Sequence, residues 1–503
     1  MRISIRTWIL RLVLILPVGA QVPQPAVQSS VPRVWDDQAI GSLEVPLVYK
    51  TGSPKHVFAE YYYKIPVRPI YRSYPIYAPG RAPAGYMQWL ERQEPAILWD
   101  DGFHAPPLRT ESDQRKAGEL VFDSPLFYDQ IVSLDEAQDP EWYAQVNPPL
   151  TRDGVMTLAS YVIRKRGQVE VGSFGCFTCH TRVMLDGTVV KGAQGNSPIE
   201  EAEANRFRHR LPPAARHGLM RIFAVPWLDP DPNAKLETMG GEEVASVYDT
   251  IPPGVIARGR TSPFFPVQIP DIIGVKERHY LDHTGLQLNR GIADIMRYSA
   301  LNQAIDDLAS YDGFIPRADP RTGERVAPSA ISRYSDSQLY TLALYLYSLQ
   351  PPRNPNKFDQ VAARGKKVFE RGGCAGCHTP ALYTNNKLTL AEGFTPTSEE
   401  RRLYDILPVS VGTDPKLALM SRRGTGFYKV PSLKGVWYRG MFGHGGWCAT
   451  LEDWFDPNRV RDDYVPTGFK PYRAETFSVK GHVFGLDLSA EDRKALIAFL
   501  KTL

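Results

Sequence analysis

Two five-residue runs, Cys176-Phe177-Thr178-Cys179-His180 and Cys374-Ala375-Gly376-Cys377-His378, take up four of the five cysteines in this 503-residue chain. Two thiols three positions apart can each add to one vinyl group of a haem. The histidine that follows is then held against the iron as its proximal ligand. With five Cys and ten His, chance gives about 0.001 such runs in a chain of this length, so two of them predict two covalently bound c-type haems. A structural zinc site needs four ligands in a compact set, and a redox-active CxxC belongs in a βαβ context. Neither describes two Cys-Cys-His sets 198 residues apart.

Paired motifs call for a duplicated module around them. A Gly-x-x-Val-Phe run precedes each: Gly118 to Phe122, about fifty residues ahead of its CxxCH, and Gly365 to Phe369, directly before the other. The first copy therefore carries an insertion. Downstream, Pro270-Asp271-Ile272-Ile273-Gly274-Val275 matches Pro431-Ser432-Leu433-Lys434-Gly435-Val436. In the same register Arg278 matches Arg439, His283 matches His444 and Gly285 matches Gly446. Each copy closes on a helix. Ser335 to Leu349 aligns with Ser489 to Leu503, with apolar or aromatic residues at i, i+3, i+4 and i+7. Gln338 or Asp492, three residues after the opening serine, resembles a capping box. Pro351-Pro352 ends the first copy.

The task of a haem depends on its sixth position: two strong axial ligands favour electron transfer, and a free one favours peroxide or dioxygen chemistry. Here the copies differ. His482, on the Gly-flanked loop Val479 to Gly485, stands where the first copy has Pro328. Met441 stands where the first copy has Tyr280. The His378 haem thus has two candidate sixth ligands, His482 and, as the alternative, Met441. The His180 haem has neither, which makes His180 the proximal residue of an open, catalytic site whose distal residues the sequence does not name. His283 and His444 occur in both copies and so serve something common to both: a propionate or the turn backbone, with iron ligation as the alternative. His209, His217 and the arginines Arg206, Arg208, Arg210, Arg216 and Arg221 follow the first motif. Their default place is the solvated surface; the alternative for the histidines is the first haem's distal pocket, and the arginines could neutralise propionates or polarise a bound peroxide.

The elements that must hold these residues predict a mainly α, loop-rich fold of two cytochrome c-like domains, at 111–350 and 351–503. An N-terminal Pro/Tyr-rich extension, 21–110, reads as an arm wrapped on the first domain, or as an aromatic strip that grips an apolar or sugar chain. The 43 Pro and 40 Gly agree with long ordered loops. Arg2, Arg6 and Arg11 ahead of an apolar run, with Val18-Gly19-Ala20 closing it, read as a signal peptide at 1–20, an uncleaved anchor being the alternative. A periplasmic or secreted location follows, and thioether attachment outside the cytoplasm agrees with it. No later segment is long and apolar enough to span a membrane. Residues 1–20 hold three of the 59 Lys and Arg, and the rest are balanced by 55 Asp and Glu, which excludes nucleic acid as the main partner. Cys448, left over, reads as a buried inert thiol, with an intermolecular disulfide as the alternative.

Two CxxCH modules, each followed by a Pro-x-x-x-Gly-Val turn and an x-His-x-Gly element, resemble the bacterial di-haem cytochrome c peroxidase superfamily. The likeness covers about 115–503 and is strongest through Tyr428-Lys429-Val430-Pro431-Ser432-Leu433 and Gly443-His444-Gly445-Gly446. It implies one catalytic haem, one six-coordinate relay and an aromatic side chain between them, for which Trp227 and Trp437 are candidates. Calcium between the domains is implied by the resemblance alone; no contiguous acidic loop matches such a site. The wide motif spacing and a histidine such as His482 are more like the methylamine-utilisation and rubber oxygenase branch than the smaller peroxidases. Departures are the Tyr280-Leu281-Asp282-His283 turn, where peroxidase relatives carry a tryptophan, and a chain shorter than rubber oxygenase.

The expected function is an exported di-haem oxidoreductase, of peroxidase or oxygenase type. Its partners would be peroxide or dioxygen together with an electron donor or apolar organic substrate. A second iron gives somewhere to hold one of the two oxidising equivalents that peroxide delivers. The alternative is a non-catalytic di-haem electron-transfer cytochrome.

Overall fold

The computed structural model describes residues 31–49 and 52–503; the signal-peptide reading of 1–20 lies outside them. The N-terminal extension supplies β1 (Ser73–Tyr77) and leads to α1 (Glu111–Phe122). Then come β2 (Phe127–Tyr128), β3 (Val155–Lys165) and β4 (Gln168–Ser173). The first CxxCH forms the short helix α2 (Cys176–His180), followed by a hairpin of β5 (Thr181–Val183) and β6 (Val189–Lys191). Next are α3 (Ile199–His209) and the closing helix α4 (Asp336–Ser348). The second copy has α5 (Gln360–Arg371), then its CxxCH on a 3-10 turn at Cys374–Gly376. The small sheet of β7 (Leu388–Leu390), β8 (Ile406–Ser410) and β9 (Phe427–Lys429) precedes α6 (Ala490–Leu500). Among the described residues, no helix is long and apolar enough to cross a membrane.

The two copies share one helix crossing. α1 packs on α4, and α5 packs on α6. At each crossing a glycine lets the backbones touch. A Cβ on Gly118 would land on the Thr341 carbonyl oxygen, and one on Gly365 would land on that of Ala495. Beside each glycine sits the same aromatic pair. Phe122 and Tyr345 have ring centres 5.4 Å apart at 60°, and Phe369 and Phe499 5.4 Å apart at 62°. The closing helices begin where the serines predict. Ser335 and Gln338 form a reciprocal capping box, and the Ser489 hydroxyl accepts from the Asp492 amide.

A mainly α fold is not what forms: the chain mixes 34% helix with 14% strand. The insertion ahead of the first CxxCH accounts for the largest sheet. Its strands β3 and β4 make a hairpin whose Lys165–Gln168 pairing leaves a two-residue loop, Arg166-Gly167, with Gly167 at a φ of 74°. The sheet order is β1-β3-β4-β2, so the extension adds an edge strand from eighty residues upstream. The extension is also core. Trp35 stacks on Tyr62 at 4.4 Å, both fully buried, in one cluster with Val121 of α1 and Leu342 of α4. Among its tyrosines, Tyr62 and Tyr74 are buried and Tyr61, Tyr63, Tyr71 and Tyr77 partly buried, so these rings do not form a fully open strip.

Candidate functional site: two CxxCH centres

The second centre is held from two sides. α5 delivers Cys374, Cys377 and His378 on a turn that opens at Gly373, φ 74°. The His378 Nδ1 lies 3.1 Å from the Tyr383 carbonyl, which accepts its proton and leaves Nε2 with the lone pair. Facing it is His482, its ring centre 6.3 Å from that of His378. A metal–imidazole bond of about 2 Å, with about 1 Å more from nitrogen to ring centre, separates two imidazoles on one metal by about 6 Å. The rings therefore stand at the spacing of two axial ligands on a shared iron. The His482 loop is fixed by backbone. Its amide donates to the Val411 carbonyl at 2.6 Å, and its carbonyl accepts from the fully buried Arg459 at 2.8 Å. Gly481, φ 77°, has no room for a Cβ against Gly412. Among the described residues, nothing pairs with the buried His482 Nδ1.

The first centre is tied into the fold by backbone hydrogen bonds. Gly192 and Gly195 donate to the carbonyls of His180 and Cys179, at 2.7 and 3.0 Å, tying α2 to the chain beyond the β5–β6 hairpin. Burial pushes the Cys176 and Cys179 thiols up to about 12 and the His180 imidazole down to about 4, with the Arg258 cation adding to the second shift. Burial also lowers His378 and brings His482 to about 4. All three imidazoles are thus neutral at pH 7, the form that ligates a metal. Among the described residues, no three Cys, His, Asp or Glu side chains converge as a metal set, so the thiols are not arranged around a zinc ion. Two protonated thiols and a neutral imidazole on one short helix fit thioether attachment with one axial nitrogen.

Among the described residues, no ring faces His180 as His482 faces His378. The other seven of the ten histidines are engaged elsewhere. His209 and His217 are exposed, the latter 3.7 Å from Glu237. His56, His104 and His279 lie beside Glu44, Asp100 and Asp405. His283 lies 2.8 Å from the Gln268 carbonyl, and His444 stacks on Tyr428 at 4.2 Å. The position matched to His482, Pro328, belongs to a short surface turn held to the extension by the Tyr61 hydroxyl at Val326. Three of the nearby arginines are paired: Arg206 with Glu203, Arg208 with Glu242 and Asp249, and Arg210 with Glu136. Met441 packs against Gly254, Gly446 and Gly468 in a cluster with Val255 and Trp447, and Cys448 is buried there too. Trp227 stacks on Tyr311. Trp437 packs with Val190 and Ile273 of the first copy, and Trp447 with Ile251 and Val255, so both tryptophans lie at the junction of the halves.

At that junction the matched turns exchange backbone hydrogen bonds. The Gln268 amide donates to the His444 carbonyl at 2.8 Å, and the Lys429 amide donates to the His283 carbonyl at 2.9 Å. Gln268 and Lys429 each stand two residues before a matched proline. The Pro270 carbonyl faces the His180 imidazole and the Pro431 carbonyl that of His378, each favouring the ring's protonated form. His180 and His378 thus both lie near one pseudo-symmetric element, although among the described residues the His180 Nδ1 makes no hydrogen bond. This junction does not suit calcium. Its cavity wall carries Arg278, Lys429 and Arg439 with a single carboxylate, Asp271, whereas calcium takes about six to eight oxygens.

Some residues near the first centre gave no signal in sequence. Glu200 on α3 is buried, accepts the Ala257 amide at 2.7 Å and is pushed well above the usual carboxylate range by burial. It lies close enough to Cys179 to bear on that thiol. Burial raises its neighbour Glu201 to about 7, and one Glu201 oxygen is buried without a partner. A run such as Glu200-Glu201-Ala202-Glu203 ordinarily marks a solvated face. Gln194, fully buried, donates to the Gly254 carbonyl at 3.1 Å and leaves its own oxygen unpaired.

No family model matches the sequence, and no curated protein does. Among solved structures, the chain is similar to hydrazine synthase of Kuenenia stuttgartiensis pressurised with xenon, at 18% identity and a TM-score of 0.30 over 57% of this chain and 86% of that one. It is also similar to a MauG-like protein associated with microbial copper homeostasis, at 17% identity and a TM-score of 0.21 over 33% of this chain and 56% of that one. The functional reading rests on the residues themselves.

Proposed function

We propose that this chain is an exported di-haem oxidoreductase, periplasmic or secreted, with two unlike centres. Cys374, Cys377, His378 and His482 would hold one haem as a six-coordinate electron relay. Cys176, Cys179 and His180 would hold the other with its sixth position open to peroxide or dioxygen, and an electron donor or apolar organic compound would be the second substrate. A bound c-type haem supplies an iron that changes oxidation state and, where one axial position is free, binds a small oxygen ligand. The carrying observation is the contrast between the centres: a histidine 6.3 Å across from His378, and no histidine across from His180.

The protein's own groups then have defined tasks. Tyr383 fixes the tautomer of His378, and the Arg459-pinned loop fixes His482, so neither imidazole must reorganise when an electron arrives. Burial raises Glu200 well above the usual carboxylate range and Glu201 to about 7, so the α3 carboxyls can hold a proton beside the first centre.

Removing one attachment site at a time tests the division. Cys374→Ala with Cys377→Ala should lower the intact mass by one haem, abolish the low-spin spectrum and leave carbon monoxide binding. Cys176→Ala with Cys179→Ala should lose a haem and carbon monoxide binding together. Carbon monoxide binding that survives in the second variant and vanishes in the first would reverse the assignment.

A further inference from the structure

The junction of the halves encloses a cavity of about 40 Å³, room for a carboxylate group or a few waters. Its charge is unbalanced: Arg278, Lys429 and Arg439 line it, against Asp271 alone. That carboxylate is already occupied, accepting the Ile273 amide at 2.8 Å and the Tyr438 hydroxyl at 2.7 Å, with Arg278 4.0 Å away. Asp282, the other carboxylate that bears on Lys429, is held by Arg258 at 3.2 Å, Arg260 at 3.5 Å and the Tyr298 hydroxyl at 2.7 Å. Among the described residues, the Lys429 ammonium forms no ion pair, and Arg439, which donates to the Ser432 carbonyl at 2.9 Å, keeps its Nε buried without a partner. A buried cation is stable only when paired. Burial, with Arg278 and Arg439 nearby, accordingly pushes the Lys429 ammonium down to about 7.

The location says what should fill the gap. Pro270 and Pro431 line the same cavity, and their carbonyls face His180 and His378, so each wall backs onto one CxxCH centre. A haem bears two propionate carboxylates on its edge. We propose that this cavity is a carboxylate-binding site whose occupant is a propionate of an adjoining haem, clamped by Lys429 with Arg278 and Arg439. The inference rests on the di-haem reading and deepens it, assigning the junction cations to the position and potential of the haems. A small inorganic anion such as phosphate offers the same chemistry, and the test separates the two.

Intact mass first counts the haems, and spectroelectrochemical titration then reads both midpoints in the wild type, Lys429→Met, Lys429→Arg and Arg439→Gln. A cation beside a haem stabilises its reduced form, which carries the extra electron. Lys429→Met and Arg439→Gln should therefore lower at least one midpoint enough to change the oxidised-to-reduced ratio tenfold at fixed poise, which is 59 mV for one electron. Lys429→Arg should stay close to wild type, and exchanging chloride for phosphate should move nothing. Unchanged midpoints in a Lys429→Met protein that carries both haems would overturn the proposal; if that variant loads no haem, Arg439→Gln decides in the same way. Wild-type midpoints that follow phosphate, and cease to do so in Lys429→Met, would give the cavity to a free anion and overturn the propionate assignment. A wild type without haem would sink the di-haem reading itself, and this proposal with it.

Discussion

His482→Ala should turn the second centre from six-coordinate to five-coordinate. The expected result is loss of the low-spin ferric spectrum and a rise in carbon monoxide bound after reduction, from one per chain to two. The effect should be large on the spectrum and small on the fold, because the side chain makes little else. Its Nδ1 has no partner, and the loop is fixed by backbone bonds to Val411 and Arg459 that survive the substitution. What the fold loses is the contact of one ring with Trp454 and Phe484, whose centres each lie 5.4 Å away. A low-spin spectrum that survives unchanged would show that His482 is not the axial partner and would reopen the question for Met441.

Gly365→Ala should destabilise the second half by about 3 kcal/mol or more, the cost of forcing a methyl into a packed contact that cannot yield. The added carbon would meet the Ala495 carbonyl oxygen and the Phe499 Cβ. Both belong to a helix whose own hydrogen bonds resist displacement. For a unit of about 150 residues this lowers the thermal midpoint by roughly 10 °C, with reduced haem loading at Cys374 and Cys377. Gly118→Ala should behave alike in the first half, against Thr341 and Tyr345. Gly218→Ala is the control. It is exposed, sits inside the helix Pro213–Met220 and has nothing within 4 Å of an added carbon, so helix propensity should make it neutral to stabilising by up to about 1 kcal/mol. Differential scanning calorimetry on the three variants compares them directly. Equal effects from all three would contradict the shared crossing.

That crossing shows how much of the architecture is legible in a sequence with an internal repeat. Gly118 and Gly365 stand out as matched landmarks, and the pairing of Tyr345 with Phe499 emerges from periodicity, but the reason for the glycines lies in the contact between distant helices. The closing helices are local objects and announce themselves through Ser335 and Ser489. β3 and β4 do not, because both of their faces are largely covered and the alternation that marks a half-exposed strand is lost. Their partner β1 lies about eighty residues upstream, in a Pro/Tyr-rich stretch that composition assigns to a wrapping arm. Trp35 and Tyr62 become core only through the helices they meet.

The candidate site divides in the same way. The CxxCH spacing carries its chemistry within five residues, so it needs no fold to be read. The asymmetry between His482 and Pro328 needs the alignment, and the 6.3 Å between rings needs three dimensions. Lys429 was within reach of sequence: extending the matched turn two residues ahead of Pro270 and Pro431 pairs it with Gln268 and exposes a lysine where its counterpart is neutral. Glu200 was not, since an acidic run on a short helix gives no sign that burial will raise its carboxyl well above the usual range. Calcium entered through resemblance alone, and the cations at the junction argue against it.

The central claim is that the two centres are unlike, and the resting ferric protein tests it most directly. Low-temperature EPR of the wild type, paired with a carbon monoxide titration after reduction, should show one high-spin and one low-spin haem in equal amounts and one carbon monoxide bound per chain. Two low-spin haems that bind no carbon monoxide would contradict the account and leave an electron carrier in place of an enzyme.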